Sequence, residues 1–327
     1  MEKRFNNKFK ELEKKYSLIG QDLNSYLEGL LYTNPLSYWD YINLETLLSL
    51  QRPKTDFPDE EIFIVYHQIT ELYFKLIIKE IETICNNGKH ISNIGQDKGW
   101  KNKILLNDFL KHLKRINSYF KVLISSFDIM IDGLDREQFL KFRMALLPAS
   151  GFQSYQYRII ELSSTDLINL VDKDYRIKSV KFSILQKLKK IYWMKGSIEM
   201  KSGKKTLMLK NFEKKYFNLF LKRAKKYKDI NLLKKYKSLN KRDKKDKELI
   251  KQMKLYDLNV NVEWPLVHYK SAVKYLSMPD KDIIATGGTN WIKYMPPKFQ
   301  KRIFFPDLWT KTQINNWGKS WILNNYK

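Results

Sequence analysis

One cysteine in 327 residues, Cys85, leaves no partner for an internal disulfide and no ligand set for a multi-cysteine zinc or iron–sulfur site. It reads instead as a small buried hydrophobe near the end of a helix. No apolar run approaches the ~20 residues that span a bilayer, and the opening MEKRFNNKFKELEKKY is too polar for a secretory signal. A soluble, cytoplasmic protein is therefore expected. No internal repeat, GxGxxG fingerprint, phosphate-binding loop or HExxH zinc motif is present. Acidic residues are scarce, 35 against 61 Lys and Arg, which gives a formal net charge of +26.

A charge of that size attracts nucleic acid or anionic lipid. The lysines, however, cluster between about 178 and 254, in runs such as KLKK, KRAKKYKDI and NKRDKKDKEL that are interleaved with apolar residues and a few acids. This is the pattern of solvated helix faces, and neither a nucleic-acid nor a membrane partner is expected. What the sequence does hold is a core: 43% hydrophobic residues, with 20 Tyr and 18 Phe, suit a packed globular protein.

The patterning is helical throughout. The first twenty residues suit a short helix or loosely held arm, and residues 1–34 are set apart from a helical domain over 35–327 with a Lys-rich excursion around 178–254. Tyr38, Tyr41, Leu44 and Leu48 lie near one helical face in YWDYINLETLLSL. A helix is predicted to start at about Pro58, whose fixed φ suits a first turn, with Asp59, Glu60 and Glu61 at the positive end of the dipole. It runs to about Cys85, where Asn86, Asn87 and Gly88 stop it and NNGKHISNIGQDKG forms a loop. From Ile104 to Ile131 apolar residues recur every three or four positions, predicting one long amphipathic helix that ends near Gly133. Asp135 and Gln138 form a capping pair for the next helix, which Pro148 interrupts, and Ser150 with Gln153 three residues on can cap another. Further helical patterns cover about 178–194 and 205–235.

Four histidines offer chemistry. His90, in a polar loop, and His112, on the charged face of KHLKR, read as exposed residues without a chemical role. His67 differs, because FIVYHQITELYF surrounds it with apolar and aromatic residues, and Phe63, His67, Thr70 and Phe74 share a helical face. It is either an ordinary half-buried histidine or a functional one; pairing with Glu71 at a metal lacks a visible third ligand. Arg143 stands in FLKFRMALLPASGF among apolar neighbours, where a guanidinium needs an anionic partner. That partner is a structural carboxylate or the carboxylate of an amino-acid substrate, held by two parallel hydrogen bonds. His268, between Trp264–Val267 and Ala272–Leu276, is a fair place for an axial imidazole. The turn ATGGTN, with Thr286, supplies backbone N–H groups and hydroxyls that suit a closing turn or a plain solvent loop.

Taken together, YWDYINLETLLSLQ, DEEIFIVYHQITELYFK and FRMALLPASGFQSYQYR, followed by His268 and ATGG, resemble the tryptophan 2,3-dioxygenase family over roughly residues 35–310. The resemblance implies an all-α, homotetrameric enzyme of the kynurenine pathway. Its cofactor is haem b, iron-protoporphyrin IX, and its co-substrate dioxygen. The reaction it implies inserts both oxygen atoms across the indole C2–C3 bond of L-tryptophan to give N-formylkynurenine. Carried across residue by residue, His268 is the iron ligand, and His67 lies beside oxygen and the indole N–H, hydrogen-bonding and positioning. Arg143 binds the substrate carboxylate; Phe63, Phe139 and Leu146 wall the indole site. Ser150 and Gly151 approach the haem, with Ser150 also near substrate, Thr286 meets the amino-acid end of the substrate, and Tyr38 and Tyr41 complete a neighbouring subunit's pocket. Ala285 stands where the family's GTGG-like turn has its first glycine, and the interval after His268 is longer. A related monooxygenase or hydroxylase of a tryptophan derivative is the alternative.

Overall fold

The computed structural model describes residues 2–32, 37–88, 90–91, 97–98, 104–146, 154–195, 197–199, 202–277, 292 and 295–319. The chain divides into two compact units, Met1–Arg52 and Pro53–Lys327. The expected boundary at 34/35 lies inside the first.

The first unit carries α1 (Glu2–Leu18), α2 (Leu23–Tyr32), α3 (Tyr38–Ile42) and α4 (Leu44–Leu48). Gly20, at φ +69°, makes the turn between α1 and α2, and the rings of Tyr16 and Tyr26 meet at 4.6 Å across it. Ser37 caps α3 by accepting from the Asp40 N–H. The expected continuous segment from Tyr38 breaks at Asn43, whose φ of 53° is left-handed, a conformation asparagine tolerates better than most residues.

The second unit is built on α5 (Asp59–Cys85), α6 (Leu106–Ser126), α7 (Asp128–Asp132), α8 (Arg136–Phe142) and α9 (Tyr155–Ser164). Next come α10 (Lys173–Arg176), α11 (Ile184–Leu188), α12 (Tyr192–Lys195), α13 (Leu207–Tyr227), α14 (Leu232–Ser238) and α15 (Lys241–Lys244). A long helix follows, made of α16 (Lys247–Leu258), a π-turn over Asn259–Glu263, and α17 (Trp264–Leu276), and two short helices, Pro297–Gln300 and Lys311–Asn315, come after it. Among the described residues the one sheet is an antiparallel pair, β1 (His90–Ile91) with β2 (Asp97–Lys98), which lies within the predicted loop and leaves the fold all-α. The core sits where α5 packs on α6 and α9, and α16 on α6. Ile77, Ile81 and Ile84 meet Phe109, Leu113, Ile116 and Phe120 there, all fully buried.

Helix α5 begins behind Pro58 with three acids in its first turn and ends at Cys85, as the sequence predicts. Asn87 and Gly88 then take positive φ and their N–H groups return to the Ile84 and Thr83 carbonyls. Cys85 is buried, and that burial pushes its thiol up to about 12. The predicted helix over 104–131 is not continuous. Ser125 and Ser126 turn their hydroxyls back onto the Val122 and Leu123 carbonyls, and the chain re-enters helix as α7 after Phe127, whose ring is buried. On α13 the lysines are exposed while Met208, Leu209, Phe212, Phe220, Ala224 and Tyr227 are buried, the amphipathic arrangement expected of the basic region. Among the described residues no helix is long and apolar enough to cross a membrane.

Candidate active site

His67 lies in the middle of α5. Its Nδ1 is 2.7 Å from the Phe63 carbonyl oxygen, one helical turn back. A carbonyl only accepts, so Nδ1 carries the proton and Nε2 is unprotonated, with its lone pair in the ring plane. His268, in α17, has the same arrangement, with Nδ1 donating to the Trp264 carbonyl at 2.8 Å. Burial lowers both imidazoles below the ordinary histidine value, and with a smaller contribution from the nearby His67 it takes His268 to about 4. Both rings are therefore neutral at pH 7. Each ring is half-buried by surface area.

A circuit of rings joins the two. Phe127 meets His268 at 4.3 Å and Tyr66 at 5.6 Å, and Tyr66 meets His67 edge-on at 6.1 Å. On the other side Phe63 lies 4.1 Å from His67 and 5.9 Å from Phe142, which meets Phe139 at 5.6 Å. Phe139 in turn meets Tyr275 at 4.7 Å, one end of the helix that carries His268. Phe127 stays on the inward face of α6, two turns beyond Phe120, although the helix ends just before it. Such pairs add to the area they bury and fix ring orientation.

Helix α8 is set against α5 by paired caps. Asp135 accepts from the Gln138 N–H at 2.8 Å, as predicted from sequence. The Asp59 carboxylate accepts from the Asp135 N–H at 2.6 Å, and the Gln138 side chain accepts from the Asp59 N–H at 3.4 Å. Tyr275 closes the far side by donating its hydroxyl to the Ile131 and Leu134 carbonyls. This placement brings Arg143, immediately after α8, to a position 9% exposed, where desolvation lowers the pKa of its guanidinium. Leu146 is half-buried on the same turn.

Tyr38 and Tyr41 are exposed on α3 of the first unit, at 71% and 73%. Ser150, Gly151 and Thr286 lie outside the described residues, as does the side chain of His90. His112 is not the exposed residue expected of KHLKR: it is half-buried and hydrogen-bonded to Glu80, which Arg115 also approaches at 3.4 Å. Glu71 accepts from the Gln156 amide at 2.8 Å. No group of three or more His, Cys, Asp or Glu suited to a metal ion occurs among the described residues.

Tyr66, Phe127, Phe142, Trp264 and Tyr275 were not singled out by sequence reasoning. Their signal was helical spacing: Tyr66 adjoins His67, and Trp264 and Tyr275 lie four residues before and seven after His268 on one face.

Fold and site together define an all-α protein with two neutral, Nδ1-anchored imidazoles joined by a circuit of aromatic rings, and a buried guanidinium just after α8. The family model of tryptophan 2,3-dioxygenase matches residues 32–284, and the chain belongs to that family. The tryptophan 2,3-dioxygenase of Bacillus thuringiensis (strain Al Hakam) is 40% identical over 126 residues, 38% of this chain and 40% of that protein. Those of a Ruegeria species and Shewanella woodyi are 35% identical over 130 residues and 33% over 163. The matched stretch spans between 40% and 51% of the length of these three curated relatives.

Proposed function

We propose that the protein is a haem-dependent dioxygenase that cleaves the indole C2–C3 bond of L-tryptophan. The observation that carries this reading is the pair of imidazoles, each with Nδ1 held by its own helix and Nε2 left unprotonated. A haem needs one strong nitrogen donor and a broad apolar surround. His268 supplies the first, neutral to about pH 4, and Phe127 and Trp264 at 4.3 and 4.5 Å supply part of the second. The residues present therefore fit the group, with His268 as the residue that would hold its iron. When bound, the haem supplies the iron chemistry that activates dioxygen.

The chain's own residues do the placing. His67 offers Nε2 as an acceptor, suited to an indole N–H, and its bond to Phe63 keeps the ring from turning. Phe63 and Phe139 wall the indole and exclude water. Arg143, already desolvated, takes the carboxylate, and loss of water there strengthens the pairing. In the reaction the C2–C3 bond breaks and the two oxygen atoms become the ketone and formamide oxygens of N-formylkynurenine. Exposed Tyr38 and Tyr41 complete the pocket of a neighbouring copy in a homotetramer. The haem-reconstituted, reduced protein, kept anaerobic, should show a spectrum that L-tryptophan perturbs saturably. A spectrum indifferent to L-tryptophan at millimolar concentration would contradict the reading.

A further inference from the structure

Residues 247–276 run as one helix apart from the π-turn, and the turn lies between the face that packs on α6 and the face that carries His268. Tyr256 meets Phe120 of α6 at 6.0 Å, Asn259 donates its side-chain amide to Asn117 of α6 at 3.2 Å, and His268 meets Phe127 at 4.3 Å. Phe120 and Phe127 are seven residues apart, two turns on one face of the α6 register. Tyr256 and His268 are twelve apart. At 3.6 residues per turn, twelve residues overshoot a whole number of turns by about 120°, whereas eleven overshoot by about 20°. The π-turn absorbs the extra residue and returns His268 to the α6 side.

The sequence contains the cause. Pro265 has no N–H, and in an uninterrupted α-helix its ring would press on the carbonyl of Asn261, four residues back. In the structure the Trp264 N–H bonds to Asn259, five residues back. In that wider register the Val260 carbonyl points toward residue 265, which has nothing to donate. Tyr157 of α9 fills the vacancy with its hydroxyl, 2.8 Å from the Val260 oxygen. The Tyr157 ring is itself buried against Phe74, at 5.6 Å. On the opposite side Asn261 donates to Asp257 at 2.8 Å, and the same carboxylate takes the N–H groups of Phe304 and Phe305 and the Trp309 indole N–H.

We infer that Pro265 and Tyr157 are positioning residues for His268: the proline widens the helix by one residue, and the tyrosine hydroxyl takes the carbonyl this leaves without an N–H. If the turn relaxed to α without losing a residue, α17 would rotate by about 100° relative to α16 and carry the imidazole away from Phe127. The geometry is independent of any cofactor. Its consequence for haem rests on the reading of His268 as the iron ligand.

The test uses the full-length apo-protein and haemin, with the NOE between the His268 and Phe127 rings as a second readout that needs no haem. Pro265→Ala and Tyr157→Phe should each weaken haemin binding about tenfold or more, the scale on which loss of a ligand's supporting shell acts, with helical content unchanged and the NOE diminished. Deleting Asn261 in the Pro265→Ala background leaves an uninterrupted α-helix in which His268 regains its original angle. Haemin affinity and the NOE should then return, a recovery that a merely destabilising substitution would not give. The inference is overturned if Pro265→Ala and Tyr157→Phe both keep wild-type affinity and the NOE, or if the deletion restores neither. If His268→Ala keeps wild-type haemin affinity while Pro265→Ala loses the NOE, the iron-ligand reading fails and the positioning role stands.

Discussion

His67 and His268 are bound in the same way: each donates Nδ1–H to the carbonyl four residues earlier, Phe63 at 2.7 Å and Trp264 at 2.8 Å, and each leaves Nε2 unprotonated. Under the proposed function one ring would serve as ligand and the other as acceptor without any change of tautomer. Their division of labour is the first point to test. His268→Ala should lose most of its haem while keeping its helical content, and His67→Ala should keep haem while substrate turnover falls. Haem content by absorbance, read beside far-UV circular dichroism, checks both. A His268→Ala protein with full haem loading and an unchanged ferrous spectrum would transfer the ligand role elsewhere.

Arg143 tests substrate recognition. Arg143→Lys keeps the charge without the planar fork, and Arg143→Met keeps the stem without the charge. Activity should fall in the order Arg, Lys, Met, with a loss in kcat/KM for L-tryptophan of about 2–5 kcal/mol for the methionine variant. An indole lacking the carboxylate should be indifferent to the substitution. Equal damage to both substrates would return Arg143 to a structural role.

Phe127 is 5% exposed and touches Tyr66, Trp264 and His268. Phe127→Ala should destabilise the apo-protein by about 3–5 kcal/mol in urea unfolding. Haem affinity should fall with it, because the cavity opens beside the imidazole. Unchanged stability would mean that α6 and α17 repack without this ring.

Much of this was legible in the sequence. Pro58 with three acids, the Asn86–Gly88 stop and the Asp135–Gln138 cap are local devices, and the structure shows each one. Helix interruptions were not legible. Serine hydroxyls ahead of Phe127 end α6 without breaking its apolar period, and a one-residue insertion between Tyr256 and His268 is invisible to a pattern that accepts spacings of three or four. His67, His268, Arg143, Phe63 and Phe139 stood out by residue type in an apolar setting. The rings between them did not, because an aromatic on a helix face reads as core until its neighbours in space are known. The half-burial of His112 is hidden in the sequence for a related reason: Glu80, its partner, is 32 residues away.

Acid should weaken the apo-protein through His268. Its folded value lies near 4 against 6.5 when unfolded, so its contribution is complete above pH 6.5 and is lost as pH falls toward 4. The stability difference between wild type and His268→Phe should therefore shrink by about 2–3 kcal/mol across that window. Asp257 works in the opposite sense. Burial raises it to about 6, so its contribution is present below 3.8 and is lost as pH rises through 6; being common to both proteins, it cancels in the difference. Urea unfolding at stepped pH measures the effect, and a pH-independent difference would mean that His268 titrates normally.

Tyr38 and Tyr41 are exposed on the first unit, and the proposed function assigns them to a neighbouring copy's pocket. Tyr38→Ala and Tyr41→Ala should impair L-tryptophan binding more than haem loading. Light scattering beside a tryptophan titration decides this, and a fully active monomer would remove the shared-pocket reading.

The central claim, dioxygenation of tryptophan at this site, is tested most directly by one turnover of the haem-loaded, reduced protein with L-tryptophan under ¹⁸O₂, with the product read by mass spectrometry. Two labelled oxygen atoms in N-formylkynurenine are predicted. A product carrying a single labelled atom, or unaltered tryptophan from protein with full haem occupancy, would contradict it.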